Sequence, residues 1–191
     1  MKILALEFSS SQRAVALSDG ANPIARVVTD NLKTSPLLLI DKVLEKGRTD
    51  RAEISVIALG IGPGSYTGIR SAIAVAQGWQ LAKAVKLNPI SSTEVLAATA
   101  HAQGQRGETH LIIDAQRHEH YHTTWNLTET EQIETKPLSI IGVVEAFELE
   151  SFGPDQPGMR YCKPLHPCAV QLAKLAANRN SDVPGFAIEP I

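Results

Sequence analysis

Residues 54–70, ISVIALGIGPGSYTGIR, decide the fold. Ile54 to Ile61 is an apolar run of the kind seen in strands buried on both faces, as parallel strands are. It enters the turn Gly62-Pro63-Gly64-Ser65, and from about Tyr66 to Lys83 the pattern predicts one long helix. Strand, glycine turn and helix make the first half of a βαβ crossover. Val85 to Ile90 supplies the next strand, and Ser91-Ser92-Thr93-Glu94 matches a capping box opening a helix through Ala102. Upstream, apolar runs at Met1 to Phe8, Arg13 to Ser18 and Ile24 to Thr29 are separated by short segments of turn chemistry, Ser9-Ser10-Ser11-Gln12 and Asp19-Gly20-Ala21-Asn22-Pro23. They predict an antiparallel meander. Ser35-Pro36 then offers an N-cap and a first-turn proline for a helix from Pro36 to Lys46, closed by Gly47.

The order is therefore βββαβαβα over the first hundred residues, a ribonuclease H-like order of antiparallel strands followed by crossovers. Beyond an expected linker at Gly104 to Gly107, strands are predicted near Thr109 to Asp114, Tyr121 to Leu127 and Gln132 to Leu138. A short helix follows at Ile141 to Phe147, then a Gly/Pro-rich loop at Gly153 to Pro157 and an amphipathic helix at Pro167 to Asn178. The expected division is an N-terminal lobe of residues 1–103 and a smaller C-terminal α/β lobe of residues 104–191.

Composition narrows the functional classes. The chain has 191 residues, 43% hydrophobic and 20% charged, which is ordinary globular usage; a chain of this size buries roughly 70% of its extended surface on folding. Aromatic residues are few, so the core is expected to be aliphatic. With 18 Lys plus Arg against 20 Asp plus Glu the formal charge is −2, which argues against tight nonspecific nucleic-acid binding, because that depends on neutralising phosphates. No apolar run approaches the ~18 residues of a membrane span, and the N-terminus does not read as a signal peptide. Cys162 and Cys168 are too few for a disulfide framework or a four-ligand zinc site. A cytoplasmic protein is expected.

Three motifs carry chemistry or imitate it. The glycine turn before the long helix exposes backbone N–H groups to an anion. No Lys-Ser/Thr follows it, so it is no P-loop, and Ser65 stands where a dinucleotide fingerprint needs glycine. We read it as a tight turn that lets the helix pack close to the sheet. His118-Glu119-His120-Tyr121-His122 formally matches H-E-x-x-H, and a metal-dependent, peptidase-like hydrolase using His118, Glu119 and His122 is the alternative function. That motif binds zinc on a helix, whereas Thr123-Thr124-Trp125 favours strand. On a strand His118 and His122 stand about 13 Å apart, so no metal site is expected there. His118, His120 and His122 would line one partly solvated face, and a neighbouring His pair could chelate only adventitiously. Third, Glu7-Phe8-Ser9-Ser10-Ser11 ends the first strand where the actin and sugar-kinase fold holds a nucleotide phosphate with aspartate and glycine. Glu7, Ser9, Ser10 and Ser11 thus read as a degenerate phosphate turn.

Several of these segments together carry a resemblance that covers nearly the whole chain. ILALEFSSSQRAVAL resembles the opening of the TsaB (YeaZ-type) family, GPGSYTGIR its most diagnostic motif, IIDAQRHEHY its D-A-R-R-G-E-x-Y pattern and HPCAVQLAKLA its last helix. The resemblance implies two actin-like (ASKHA) α/β lobes with mixed sheets, the second reduced. It implies a non-catalytic subunit that pairs with a catalytic homologue, TsaD, and an ATPase, TsaE, to place threonylcarbamoyl on adenosine 37 of tRNA. The chain would meet tRNA only through that complex, bind no cofactor alone, with ATP bound only in the complex, and form a homodimer when isolated. It departs from the pattern at Glu7 (usually Asp), at Lys33-Thr34-Ser35-Pro36 (a His-Ser-Glu segment), at His118 (Gly) and at Glu189-Pro190-Ile191 (a Tyr-Leu-Arg ending), as a divergent member would.

Helical geometry suggests where a partner docks. On Pro36 to Lys46, Leu37, Ile40, Val43 and Leu44 fall in one arc facing the sheet, with Leu38 pointing away beside Asp41 and Glu45 and Leu39 on the flank. The next helix is apolar nearly all round, leaving a narrow polar stripe at Arg70 and Gln77. The expected interface is Leu38, Leu39, Asp41, Glu45, Tyr66, Arg70, Ile73, Ala74 and Gln77.

Overall fold

The computed structural model describes residues 1–154, 159–179 and 182–191. The first sheet is built from β1 (Lys2–Glu7), β2 (Arg13–Asp19), β3 (Asn22–Thr29), β4 (Ile54–Gly60) and β5 (Lys86–Ile90), in the order β3-β2-β1-β4-β5. β1, β2 and β3 pair antiparallel, while β4 joins β1 and β5 joins β4 in parallel. This is the ribonuclease H-like arrangement expected from the sequence. Strand alternation divides the sheet into two unlike faces. Leu4, Leu6, Val15, Leu17, Ile57 and Leu59 face one way, into a core closed by α1 (Pro36–Gly47) and α2 (Tyr66–Ala82). Ile3, Ala5, Ala14, Ala16, Val56 and Ala58 face the other way, against α5 (Ala169–Ala177).

That second face corrects the expected division. The compact units are Met1–Val95 with Cys168–Ile191, and Leu96–Pro167, so the last helix returns to the first sheet instead of completing the second unit. The physical reason is size: Ala169, Ala173 and Ala176 meet the small strand residues, which lets helix and sheet approach closely.

The second unit holds the C-terminal part of α3 (Ser92–Ala102), α4 (Val143–Glu148) and a sheet of order β10-β9-β6-β7-β8, from β6 (Gly107–Gln116), β7 (Glu119–Leu127), β8 (Gln132–Gly142), β9 (Ser151–Gly153) and β10 (Cys162–Pro164). The two three-residue strands were not expected, since runs that short carry no periodicity. Of the expected loop at Gly153 to Pro157, residues 155–157 lie outside the described residues. Leu96, Ala97 and Ala100 of α3 pack on Leu111, Ile113, Trp125 and Leu127, and Ile112 packs with Ile141 and Ala146 on the opposite face.

Local signals resolve unevenly. Pro36 opens α1 as expected, but Ser35 makes no side-chain cap, and the left-handed residue that ends the helix is Arg48 (φ 49°), not Gly47. Gly47 has a different task, because a Cβ there would lie 2.4 Å from Leu17 Cδ2. The capping box at α3 is half made: Ser91 Oγ accepts from Thr93 N (3.3 Å), whereas Glu94 pairs with Arg179. The core stripe of α1 is Leu39, Ile40, Val43 and Leu44. Leu37, expected on the sheet, is 49% exposed, and Leu39, expected at the interface, is 1% exposed.

Gly47→Ala is expected to destabilise the protein by about 1–3 kcal/mol through overpacking against Leu17. Gly78→Ala, where an added Cβ meets nothing within 4 Å, should stabilise the helix slightly. Thermal denaturation of the two variants beside the parent checks the contrast.

Candidate functional site

The turn between β4 and α2 is held against the end of β1. Ser65 N donates to Ser9 O at 2.7 Å, and the approach is so close that a Cβ on Gly64 would fall 2.1 Å from Ser9 O and one on Gly68 2.0 Å from Phe8 O. Ser65 caps α2, its Oγ accepting from Gly68 N at 3.4 Å. Gly62 carries φ 98° and precedes a cis proline, Pro63. The glycines of GPGSYTG therefore serve contact within the chain, as expected from a turn that brings helix and sheet together.

Glu7 lies beneath this turn. Its side chain is buried, its Oε1 accepts from Ser9 N at 3.0 Å, and Ser92 Oγ lies 3.4 Å from both carboxylate oxygens. Gly60 makes room for it, since a Cβ there would meet Glu7 Oε2 at 2.0 Å. Burial pushes the Glu7 carboxyl above the ordinary range, and the bonds from Ser9 and Ser92 only partly oppose that rise. At the end of β1, then, the backbone N–H of Ser9 is taken by the chain's own carboxyl group.

The outward side of α1 and α2 carries a different kind of site. Leu37, Ala74, Val75, Gly78, Trp79 and Ala82 line an apolar groove of about 600 Å³, with Arg51, Ala52 and Lys83 at its edge. The Arg51 guanidinium lies 5.9 Å from the centre of the Trp79 ring and pairs with Asp41. Leu38 (47% exposed), Tyr66 and Leu81 (91% exposed) are further exposed apolar residues of the two helices, and Arg70 stacks over Tyr66 at 5.3 Å. Of the expected interface, Leu38, Asp41, Glu45, Tyr66, Arg70 and Ala74 are exposed. Leu39 and Ile73 are buried in the core and leave that set. Gln77 is half-buried and engaged within the chain: its Nε2 donates to Gly185 O at 2.8 Å, while Gly185 N donates to Gln80 Oε1 at 2.8 Å. Of the groove lining only Ala74 belongs to the expected set. Leu37, expected on the sheet, does not, and neither do Val75, Gly78, Trp79 and Ala82, because a helix that is apolar nearly all round gives no signal of which face stays outside.

The histidine cluster is a β-hairpin, not a helix. Gln116, Arg117 and His118 form the tip with positive φ angles, and Glu119 begins β7. His118 and Glu119 are exposed, whereas His120 and His122 are buried on one strand face, so that face is not the partly solvated one expected. The helical geometry required by a zinc-binding H-E-x-x-H is missing here. Burial and the adjacent His110 hold His122 below the usual imidazole range. The cysteines form no disulfide, and among the described residues no helix is long and apolar enough to cross a membrane.

Residues 2–145 match the family described as TsaD, tRNA N6-adenosine threonylcarbamoyltransferase. The sequence is 30% identical to the tRNA threonylcarbamoyladenosine biosynthesis protein TsaB of Escherichia coli over 145 residues, covering 70% of this chain and 62% of that protein. It is 29% identical to TsaB of Haemophilus influenzae over 123 residues, covering 63% of this chain and 52% of that protein. The chain thus spans about half to three fifths of the curated relatives it matches. In structure it is similar to YeaZ from Pseudomonas aeruginosa (TM-score 0.82, 23% identity, 100% of this chain and 98% of that one) and to a Pseudomonas aeruginosa protein described as similar to peptidase YEAZ (TM-score 0.83, 23% identity, the same coverage).

Glu7→Gln tests the buried carboxyl. Its folded pKa lies above the unfolded value, so between the two the native state binds more protons and parent stability falls as pH rises. Above the folded pKa the full cost of burying the charge remains. The Gln variant carries no such charge. Its stability relative to the parent is expected to increase from pH 4 upward and to level off, in denaturant titrations at several pH values; a constant difference would contradict the assignment.

Proposed function

The chain belongs to the TsaB (YeaZ-type) branch of the TsaD-type family, and on that premise we propose that it serves tRNA threonylcarbamoyladenosine biosynthesis as a non-catalytic docking subunit. Its partner in this reading is a TsaD-like catalytic homologue, joined by a TsaE-like ATPase, with tRNA engaged through the assembly and all of it in the cytoplasm. In isolation a second copy takes the partner's place. The observation that carries the docking role is the apolar groove between α1 and α2, on helices that also expose Leu38, Tyr66 and Leu81. The core of the first sheet is already closed beneath these helices, so this outward surface is surplus to folding. An apolar groove marks an interaction site more often than isolated exposed leucines do.

The surroundings of Glu7 support the reading that the chain alone does no ATP chemistry. A site that is to bind a phosphate must offer donors and tolerate added negative charge. Here Ser9 N and Ser92 Oγ face a buried carboxyl group, and an anion placed beside it would be repelled whenever Glu7 ionises. ATP use in this reading belongs to the partners, and the transferase centre belongs to the TsaD-like homologue.

Two outcomes are expected. Leu38→Glu should weaken self-association at least tenfold in sedimentation at several concentrations, with circular dichroism unchanged, since burying a leucine contributes about 1.5–3 kcal/mol. Unchanged association in the folded variant would show that the interface lies elsewhere. The purified chain should hydrolyse little ATP, with threonylcarbamoyl transfer to tRNA appearing only when the TsaD-like and TsaE-like proteins are added. A strong ATPase rate in the chain alone, abolished by Glu7→Gln, would overturn the non-catalytic reading.

A further inference from the structure

The face of the second sheet that carries His122 holds a cross-strand arrangement that the docking role does not use. β6 and β7 pair antiparallel with His110 opposite Thr124 and Ile112 opposite His122. His110, His122 and Thr124 therefore project from one face as diagonal and direct neighbours. His110 Nδ1 lies 3.2 Å from His122 Nε2 and 3.1 Å from Thr124 Oγ1, and Thr124 Oγ1 lies 3.4 Å from His122 Nε2. Three donor atoms thus form a nearly equilateral triangle. A tetrahedral zinc ion with bonds of 2.0–2.1 Å has ligand-to-ligand edges of about 3.3 Å, so the triangle has the size of one face of that tetrahedron.

We propose that His110 and His122 form a cross-strand chelate for one zinc-class divalent cation, with Thr124 Oγ1 at the third corner. Two imidazole nitrogens select a borderline transition ion over Mg²⁺ or Ca²⁺, which take oxygen ligands. Of the charged groups acting on the pair, Glu108 and Glu145 favour a cation and Lys136 opposes it. The Glu108 carboxylate lies 3.6 Å from His110 Nε2, on the far side of the ring from Nδ1. There it favours the tautomer protonated at Nε2, which leaves the Nδ1 lone pair for the metal. Glu108, Glu148 and Glu150 line a pocket of about 320 Å³ with His110 on its wall, so carboxylates stand on the outer side of that ring. Without metal the three atoms satisfy one another by hydrogen bonds. Among the described residues no three His, Cys, Asp or Glu side chains are grouped as metal ligands. The site thus rests on two imidazoles and a hydroxyl, and it is weaker than a structural zinc site with four protein ligands. It uses residues of the second unit alone and is independent of the docking surface.

The test is Zn²⁺ titration of the full chain, with any affinity tag removed, by calorimetry in excess Mg²⁺ and by metal analysis after dialysis. One equivalent per chain is expected. His110→Asn and His122→Gln should each weaken binding at least tenfold, Thr124→Val less than either, and His118→Asn not at all, with circular dichroism confirming that each variant is folded. Zn²⁺ should also raise the thermal midpoint of the parent and leave that of His110→Asn unchanged. The proposal is overturned if the parent takes up no stoichiometric zinc. It is equally overturned if His110→Asn binds as well as the parent, or if His118→Asn weakens binding as much as the other two, which would assign the metal to the hairpin tip.

Discussion

The close approach of the turn 60–68 to the end of β1 governs the first unit. Ser65 N reaches Ser9 O, and Gly64 and Gly68 leave no space for a Cβ between the turn and the backbone of residues 8 and 9. This contact fixes where α2 begins and therefore which of its faces meets the sheet: Ile69, Ala72, Ile73 and Ala76 turn inward, while Ala74, Gly78 and Ala82 turn outward. The same approach encloses Glu7, whose carboxyl group occupies space that Gly60 vacates. The packing here closes over an acid.

The order of the larger elements was legible because their hydrophobic runs are long and their separators are turn residues. ISVIALGI and the meander before it lead directly to the mixed sheet β3-β2-β1-β4-β5. The destination of α5 was not legible. Its apolar stripe could cover either sheet, and the deciding feature is a match in size, Ala5, Ala14, Ala16 and Ala58 against Ala169, Ala173 and Ala176. That match appears only when the strand faces are written out separately. Leu37 and Leu39 exchanged roles for a related reason: both lie at the margins of the apolar arc, and helical periodicity alone leaves the position of the arc open by one residue. The His110–His122 pair required the register of the β6–β7 hairpin, which depends on an irregularity between Asp114 and Gln116, a detail no spacing rule supplies.

In the proposed docking role, partner binding and stability would occupy different surfaces of the first unit. The inward faces of α1 and α2 close the core, α5 closes the opposite face of the sheet, and the outward faces of α1 and α2 keep apolar area that folding has not used. Gln77 and Gln80 hold Gly185 on one flank of α2, which confines the accessible surface to the side of the helix that carries Ala74, Gly78 and Ala82. A docking subunit needs this separation, because a partner can then bind and leave without disturbing the residues that hold the helices in place.

The most direct measurement of this account is hydrogen–deuterium exchange of the full chain with and without a TsaD-like homologue. Protection is expected over α1 and over α2 from Ala74 to Ala82, with the β6–β7 hairpin unchanged. Protection confined to that hairpin, with α1 and α2 exchanging as in the isolated chain, would contradict the account.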